Sequence, residues 1–204
     1  MRLRHRLVGA LGAILIAFAL AAPVAADTTG GGNGTQASAF QDGGCSDNGD
    51  GTVTCSQTEL DAFKDNVSGD EVCYDELTFT FDSNTGDQLS SHESFGCTDN
   101  SGNVTVDKLT SVVVASTDIA LTTFDCDANG DCIESDGGTI SIAATWTGVG
   151  KTFKSRSSSH SRDPFCVEVD RSSSTTRNAT FDGPFDASSA QISVGTSSFR
   201  IRCK

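Results

Sequence analysis

Eight cysteines limit what this chain can fold into more than any other feature: Cys45, Cys55, Cys73, Cys97, Cys126, Cys132, Cys166 and Cys203. An even count in a chain that opens like a secreted protein is the pattern of a disulfide framework. Three successive pairs bracket turn-forming sequences. Cys45 and Cys55 flank Asn48-Gly49-Asp50-Gly51, Cys73 and Cys97 flank Ser83-Asn84-Thr85-Gly86, and Cys126 and Cys132 flank Asn129-Gly130. Asn and Gly tolerate the positive φ of tight hairpin turns, so each pair lies where two antiparallel arms would stand opposite each other. The expected bonds are Cys45–Cys55, Cys73–Cys97 and Cys126–Cys132, with Cys166–Cys203 left to tie the last strand into the sheet. A zinc site is disfavoured, because no Cys-x-x-Cys pair occurs and His92 and His160 are isolated.

Residues 1–26 have the layout of a secretory signal. Arg2, Arg4, His5 and Arg6 precede an apolar run from Leu7 to Ala22, and Val24-Ala25-Ala26 forms a small-residue cleavage site before Asp27. The run is short and rich in Ala and Gly, which argues against an anchor, and no second apolar segment is long enough to span a bilayer. The expectation is a secreted, extracellular protein with no membrane span after signal removal.

Residues 27–44, rich in Gly, Thr and Ser, read as a flexible N-terminal segment, and residues 45–204 as a single all-β domain. Its centre is the stretch from Leu109 to Trp146. The arms Ser111–Phe124 and Thr139–Trp146 are rich in β-branched residues, with Asn129-Gly130 at the tip. The predicted architecture is a disulfide-stabilised antiparallel β-sandwich, with a closed β-barrel as the alternative and at most one short helix. That helix is placed on Ser56 to Gly69, where Ser56 and Glu59 have capping-box spacing and Leu60, Phe63 and Val67 form a stripe. Val72 and Tyr74 share a face with Leu77, Phe79 and Phe81 only if a bulge near Asp75-Glu76 shifts the register. Later strands are expected at Lys151–Arg162, Phe165–Asp170, Thr175–Phe181, Gln191–Val194 and Phe199–Cys203. Phe165, Val167 and Val169 would share one face.

Charge is the most informative functional clue. Removing Arg2, Arg4 and Arg6 with the signal leaves 27 acidic against 11 basic residues, a net charge of −16. From Asp27 to Trp146 the balance is −20; from Thr147 to Lys204 it is +4. In the basic segment the cations recur with period two. Lys154, Arg156, His160 and Arg162 fall on one side of an extended strand, and Arg200, Arg202 and Lys204 on one side of another. If the two rows share a sheet surface, it is a cationic face fringed with hydroxyls, suited to an anionic polymer or cell-surface component. The plainer account is that these bases pair across strands with the acidic half. Nucleic acid is disfavoured, since Trp146 and Tyr74 are the only Trp and Tyr and stacking platforms near the stripe are missing. The function that follows is a secreted, non-catalytic binding module using Lys154, Arg156, His160, Arg162, Arg200 and Arg202.

Two other constellations compete with this one. Asp125, Asp127, Asn129, Asp131 and Asp136 have the oxygen spacing of a calcium loop, which makes a calcium-stabilised structural protein the alternative. Strands on both sides and the Cys126–Cys132 clamp oppose the wrap-around geometry, and a plain Asp/Asn/Gly hairpin tip accounts for the same residues. Apart from calcium, no cofactor is implied. A secreted hydrolase would need a nucleophile and base, and neither His160 with Asp163 nor His92 with Glu93 comes with a nucleophile elbow.

Overall fold

Alternating side chains, rather than helical stripes, govern the backbone wherever it is described. The computed structural model describes residues 28–66, 69–99, 103–162 and 166–203, and every regular element among them is a strand. In chain order these are β1 (Thr28–Asp47), β2 (Thr52–Asp65), β3 (Asp70–Asp82), β4 (Gln88–Asp99), β5 (Val104–Asp107), β6 (Ser111–Asp127), β7 (Cys132–Arg162), β8 (Cys166–Asp182) and β9 (Ser189–Cys203). They form one antiparallel sheet in the order β4-β3-β2-β1-β9-β8-β7-β6-β5.

β4 also pairs with β6, from Ser90↔Asp127 to Phe95↔Thr122, so the ladder returns to its start. This ring of hydrogen bonds is common to a round barrel and to a flattened, two-layered cross-section, and it leaves no edge along the closed part. β5 is short and lies against the first residues of β6, with Val104 opposite Val114. At the crossing of β4 and β6 the strands approach so closely that a Cβ at Gly96 would fall 2.2 Å from the Ala120 carbonyl oxygen. Only glycine fits there.

The interior is made by one parity of each strand. Ala37 and Ala39, Leu60 and Ala62, Val72 and Tyr74, Val112, Val114 and Ile119, Ile142, Ala144 and Trp146, and Ile192 are all buried and form one cluster with Val104. Trp146 is the largest fully buried side chain among the described residues. Its ring lies 5.1 Å from Phe181, which in turn lies 5.1 Å from Phe185. Near the β2–β3 turn, Lys64 Nζ donates to the mostly buried Asp70 carboxylate at 2.9 Å and to the Val104 carbonyl at 2.8 Å.

The disulfide framework follows the turns as expected. Cys45–Cys55, Cys73–Cys97 and Cys126–Cys132 are bonded, each joining residues directly opposite on neighbouring strands. Cys166 is also disulfide-bonded, and Cys203 stands opposite it in the β8–β9 register. The central hairpin forms with Cys126 opposite Cys132 and Val112 opposite Trp146.

Four expectations need correction. No helix occupies Ser56 to Asp65. That segment is β2, because ladders to β1 and β3 satisfy its backbone on both sides and alternation puts Leu60 and Ala62 inside. A helix of barely three turns, exposing most of its surface, has no comparable support; Val67 lies outside the described residues. The flexible segment is instead β1, from Thr28 onward. Its Gly and Ala residues are poor strand formers, but pairing with β2 and β9 on its two sides orders them, and Ala37 and Ala39 fill narrow space in the core. No bulge occurs near Asp75-Glu76, since β3 keeps unbroken register with β2. Leu77, Phe79 and Phe81 therefore face away from Val72 and Tyr74. Finally, Lys151–Arg162 is not a separate strand but the far half of β7, which runs on from the central hairpin. Phe165 lies outside the described residues.

Trp146→Ala should cost about 3–5 kcal/mol in equilibrium denaturation, the range for emptying an aromatic core site. Trp146→Phe should cost less. It leaves a smaller void and also removes the indole Nε1 donor, which is buried and has no hydrogen-bond partner among the described residues. Equal losses for the two variants would mean that Trp146 does not anchor the core.

Candidate functional site

The ring of strands closes over only part of their length. β6 accompanies β7 as far as Ser111↔Thr147, whereas β8 stays with β7 to Arg162↔Val167. On the other side β2 leaves β1 at Asp65↔Gly34, whereas β9 follows β1 to Ile201↔Thr28. The far parts of β7, β8, β9 and β1 therefore continue as an open four-stranded sheet. The junction is fixed at a β7 irregularity between Gly148 and Thr152. A Cβ at Gly148 would lie 2.0 Å from the Leu109 carbonyl oxygen, so only glycine is accommodated. Arg177 fastens the junction, donating from Nε to the Gly150 carbonyl at 3.2 Å and from Nη1 to the Leu109 carbonyl at 3.4 Å.

Beyond the junction the core-facing parity changes character. Ile192 is fully buried, and the residues in step with it along β9 are Val194, Thr196, Ser198, Arg200 and Arg202. Register carries the same face across the sheet. Lys154 stands opposite Thr175, which stands opposite Val194; Arg156, Ser173 and Thr196 form the next rung, then Ser158, Arg171 and Ser198, then His160, Val169 and Arg200, then Arg162, Val167 and Arg202. Seven basic side chains thus share one face, and no acidic residue lies on any of these rungs. Residues 28–34 of β1, which complete the sheet, carry no charge. Glu168 and Asp170 lie on the opposite face, in step with Phe199 and Ile201, and Ser159 Oγ donates to Asp170 Oδ2 at 3.2 Å. Phe153, 64 % exposed, and Phe199, 40 % exposed, also belong to that opposite face.

All six sequence-predicted cations, Lys154, Arg156, His160, Arg162, Arg200 and Arg202, are exposed and occupy the same face. The two rows are not on neighbouring strands, however. β8 runs between them and places Val167 and Val169 there. It also supplies Arg171, which the sequence did not mark as part of the stripe. Two residues beyond Val169, Arg171 is in step with the valines, and only the β7–β8 register shows that this parity is the cationic one. An open depression of about 370 Å³ is lined by Arg156, Ser158, Arg171, Ser173, Thr196 and Ser198 of this face, and also by Ser157 and Ser172 of the intervening rung. Within it Ser173 and Thr196 hydroxyls bond to each other at 2.8 Å.

The acidic loop is organised differently from a calcium site. Asp127 Oδ1 accepts from the amides of Asn129 and Asp131 at 2.8 and 3.0 Å, and these bonds hold its carboxyl below the usual range. Asp136 accepts from the Gly138 amide at 2.8 Å, and Asp125 faces His92 Nδ1 at 2.7 Å. Among the described residues no three of these carboxylates converge as a ligand set. Their oxygens serve the hairpin tip and the β4–β6 contact instead. His92 Nε2 lies 3.3 Å from Ser94 Oγ, which completes a Ser–His–Asp line. His92 and Asp125 are 46 % and 62 % exposed, and neither this depression nor a second one beside Asp182 and Pro184 includes any of the three. A nucleophile needs a substrate cleft and oxyanion donors. Asp163, considered with His160, lies outside the described residues.

A cluster that the sequence hid occupies the outer face of β2, β3 and β4. Glu59 stands opposite Asp75, with Asp61 on the same face of β2 and Glu93 on that of β4. Burial, followed by repulsion from Glu59, pushes the Asp61 carboxyl up to about 7; burial, then Glu93 and Glu59, pushes Asp75 up to about 6. Burial also raises Glu59.

No family model, curated protein or solved structure matches the chain. The disulfides are those of a protein matured in an oxidising compartment, in keeping with an extracellular location. Among the described residues no helix is long and apolar enough to cross a membrane.

Folded-state values raised above the ordinary Asp value of 3.8 favour the protonated fold, so the cluster increasingly opposes folding as pH rises from that value and carries its full penalty above about 6–7. This contribution should therefore lower the melting temperature progressively between about pH 4 and pH 7 and change little above that. Asp61→Asn should flatten that fall, gaining roughly 2–4 °C at pH 8 for each kcal/mol of desolvation and repulsion penalty removed. An unchanged pH profile in the variant would show that Asp61 ionises without penalty.

Proposed function

We propose that this protein is a secreted, non-catalytic binding module whose ligand is an anionic polymer at or outside the cell surface. One observation carries the proposal: seven basic side chains gather on one uncovered face of the four-stranded extension, with no carboxylate on its rungs. The alternative, that these bases neutralise the acidic half by cross-strand pairing, would require Asp or Glu opposite them. In the β7–β8–β9 register the non-basic residues directly opposite them are Ser, Thr and Val. Cations along an edge strand also discourage sheets from pairing edge to edge, and β7 is such an edge beyond Thr147. That role accounts for charge on β7 but not for Arg171, Arg200 and Arg202 on interior strands.

The binding physics is that of a positively charged surface on a negatively charged protein. The rest of the chain repels a polyanion at long range, and salt screens this repulsion within about 8–10 Å, while guanidinium contacts at the face remain. Forked N–H groups and nearby hydroxyls then form charge-assisted hydrogen bonds to the polymer.

The protein should be retained on a sulfated-polysaccharide resin despite its net charge of −16 after signal removal. Elution should occur at rising salt, and Arg156→Ala/Arg162→Ala should elute well before wild type. A double variant that elutes with wild type would refute the proposal.

A further inference from the structure

We propose that the depression between Arg156 and Arg171 is a site for a sulfate half-ester on a polysaccharide, distinguished there from a carboxylate. This inference rests on the polyanion reading of the basic face and specifies which group that face selects. Arg156 stands opposite Ser173 and Arg171 opposite Ser158, so the two arginines are diagonal neighbours across β7 and β8. Diagonal positions on one face are about 7–8 Å apart, within reach of two long side chains converging on one small group. The depression between them, about 370 Å³ and open to solvent, is also lined by Ser158, Ser173, Thr196 and Ser198. That volume is near the low end for small-ligand clefts, about 300–1,000 Å³, and suits one substituted sugar with its chain continuing across the open side.

The donor inventory selects the group. Each guanidinium offers a planar fork of two N–H bonds, and Ser158 and Ser198 add hydroxyl donors. Ser173 and Thr196 share one hydrogen bond, which leaves one of the two hydroxyls with its own O–H to donate. A carboxylate has two oxygens and about four acceptor positions, too few for this set, whereas a sulfate half-ester presents three terminal oxygens arranged in space. A backbone phosphodiester has only two unesterified oxygens, and its nucleic-acid form would need stacking surfaces. The exposed rings of Phe153 and Phe199 belong to the opposite face. The sheet below the site is poor in competing carboxylates, since Glu168 and Asp170 also belong to the other face.

The test compares binding of the full secreted chain to dextran sulfate and to polygalacturonate, matched in length and charge density, at constant salt. Wild type should bind dextran sulfate about tenfold more tightly. Arg171→Lys, which keeps the charge but removes the fork, should lower dextran sulfate affinity about tenfold and leave polygalacturonate affinity nearly unchanged. Lys154→Ala, on the same face but outside the depression, should weaken both polymers modestly and equally; circular dichroism of each variant confirms an intact sheet. Equal affinity for the two polymers, or equal loss of both in Arg171→Lys, would overturn the sulfate site while leaving the polyanion face standing. Absence of binding to either polymer by wild type would remove both.

Discussion

Closure of the hydrogen-bonded ladder between β4 and β6 decides what every other part of the molecule is. Where the ring is complete, each strand has partners on both sides and one parity of its side chains is sealed inside. Leu60, Ile119, Ile142, Trp146 and Ile192 are there without solvent contact. Where β6 and β2 stop, the same parity of β7, β8 and β9 passes out of the enclosure, and an apolar row there would lie in water. The chain meets this boundary with a change of chemistry. Trp146 and Ile192 give way to Lys154, Arg156, Arg171 and Arg200 along a continuous face.

The junction is therefore the point at which the closed ring gives way to the open extension. Gly148 permits close contact with Leu109, and Arg177 spends its guanidinium on the Leu109 and Gly150 carbonyls. It belongs to the same face as the exterior cations but serves the fold, which separates it from the exposed arginines farther along the strands. Support for the extension comes from its own ladders and from the oxidised Cys166 near its far end. With few apolar side chains inside it, hydrogen bonding and its covalent ties carry more of its order than burial does.

The opposite charge is concentrated where the ring is complete. Glu59, Asp61 and Asp75 are held close together by the β2–β3 register on a partly buried outer surface, so part of the acidic excess is a load on the closed region rather than a solvated coat. The numerical charge split between the two halves of the chain is thus real in space. Its two sides have different consequences: desolvated, mutually repelling carboxyls in the ring, and an exposed cationic surface on the extension.

Local chemistry determined the hairpins, the cysteine pairs and the all-β class, because Asn-Gly turns and period-two alternation act over a few residues. The cationic rows on β7 and β9 were legible for the same reason: parity along a strand is a sequence property. Long-range pairing decided the rest. Ser56 to Asp65 carries helix-compatible spacing, yet two flanking ladders make it a strand; Thr28 to Asp47 looks featureless until β2 and β9 order it. Arg171 joins the basic face, and Glu59 meets Asp75, only through cross-strand register. The calcium-like spacing around Asp127 is a property of the chain alone; in the fold, hairpin amides and His92 take Asp127 Oδ1 and Asp125 Oδ1. A sequence states which side of its own strand a residue occupies, but neighbouring strands are tens of residues apart in the chain. Which strand lies beside it, in what register, and whether the shared face is enclosed are decided only when backbone hydrogen bonds and burial are satisfied together.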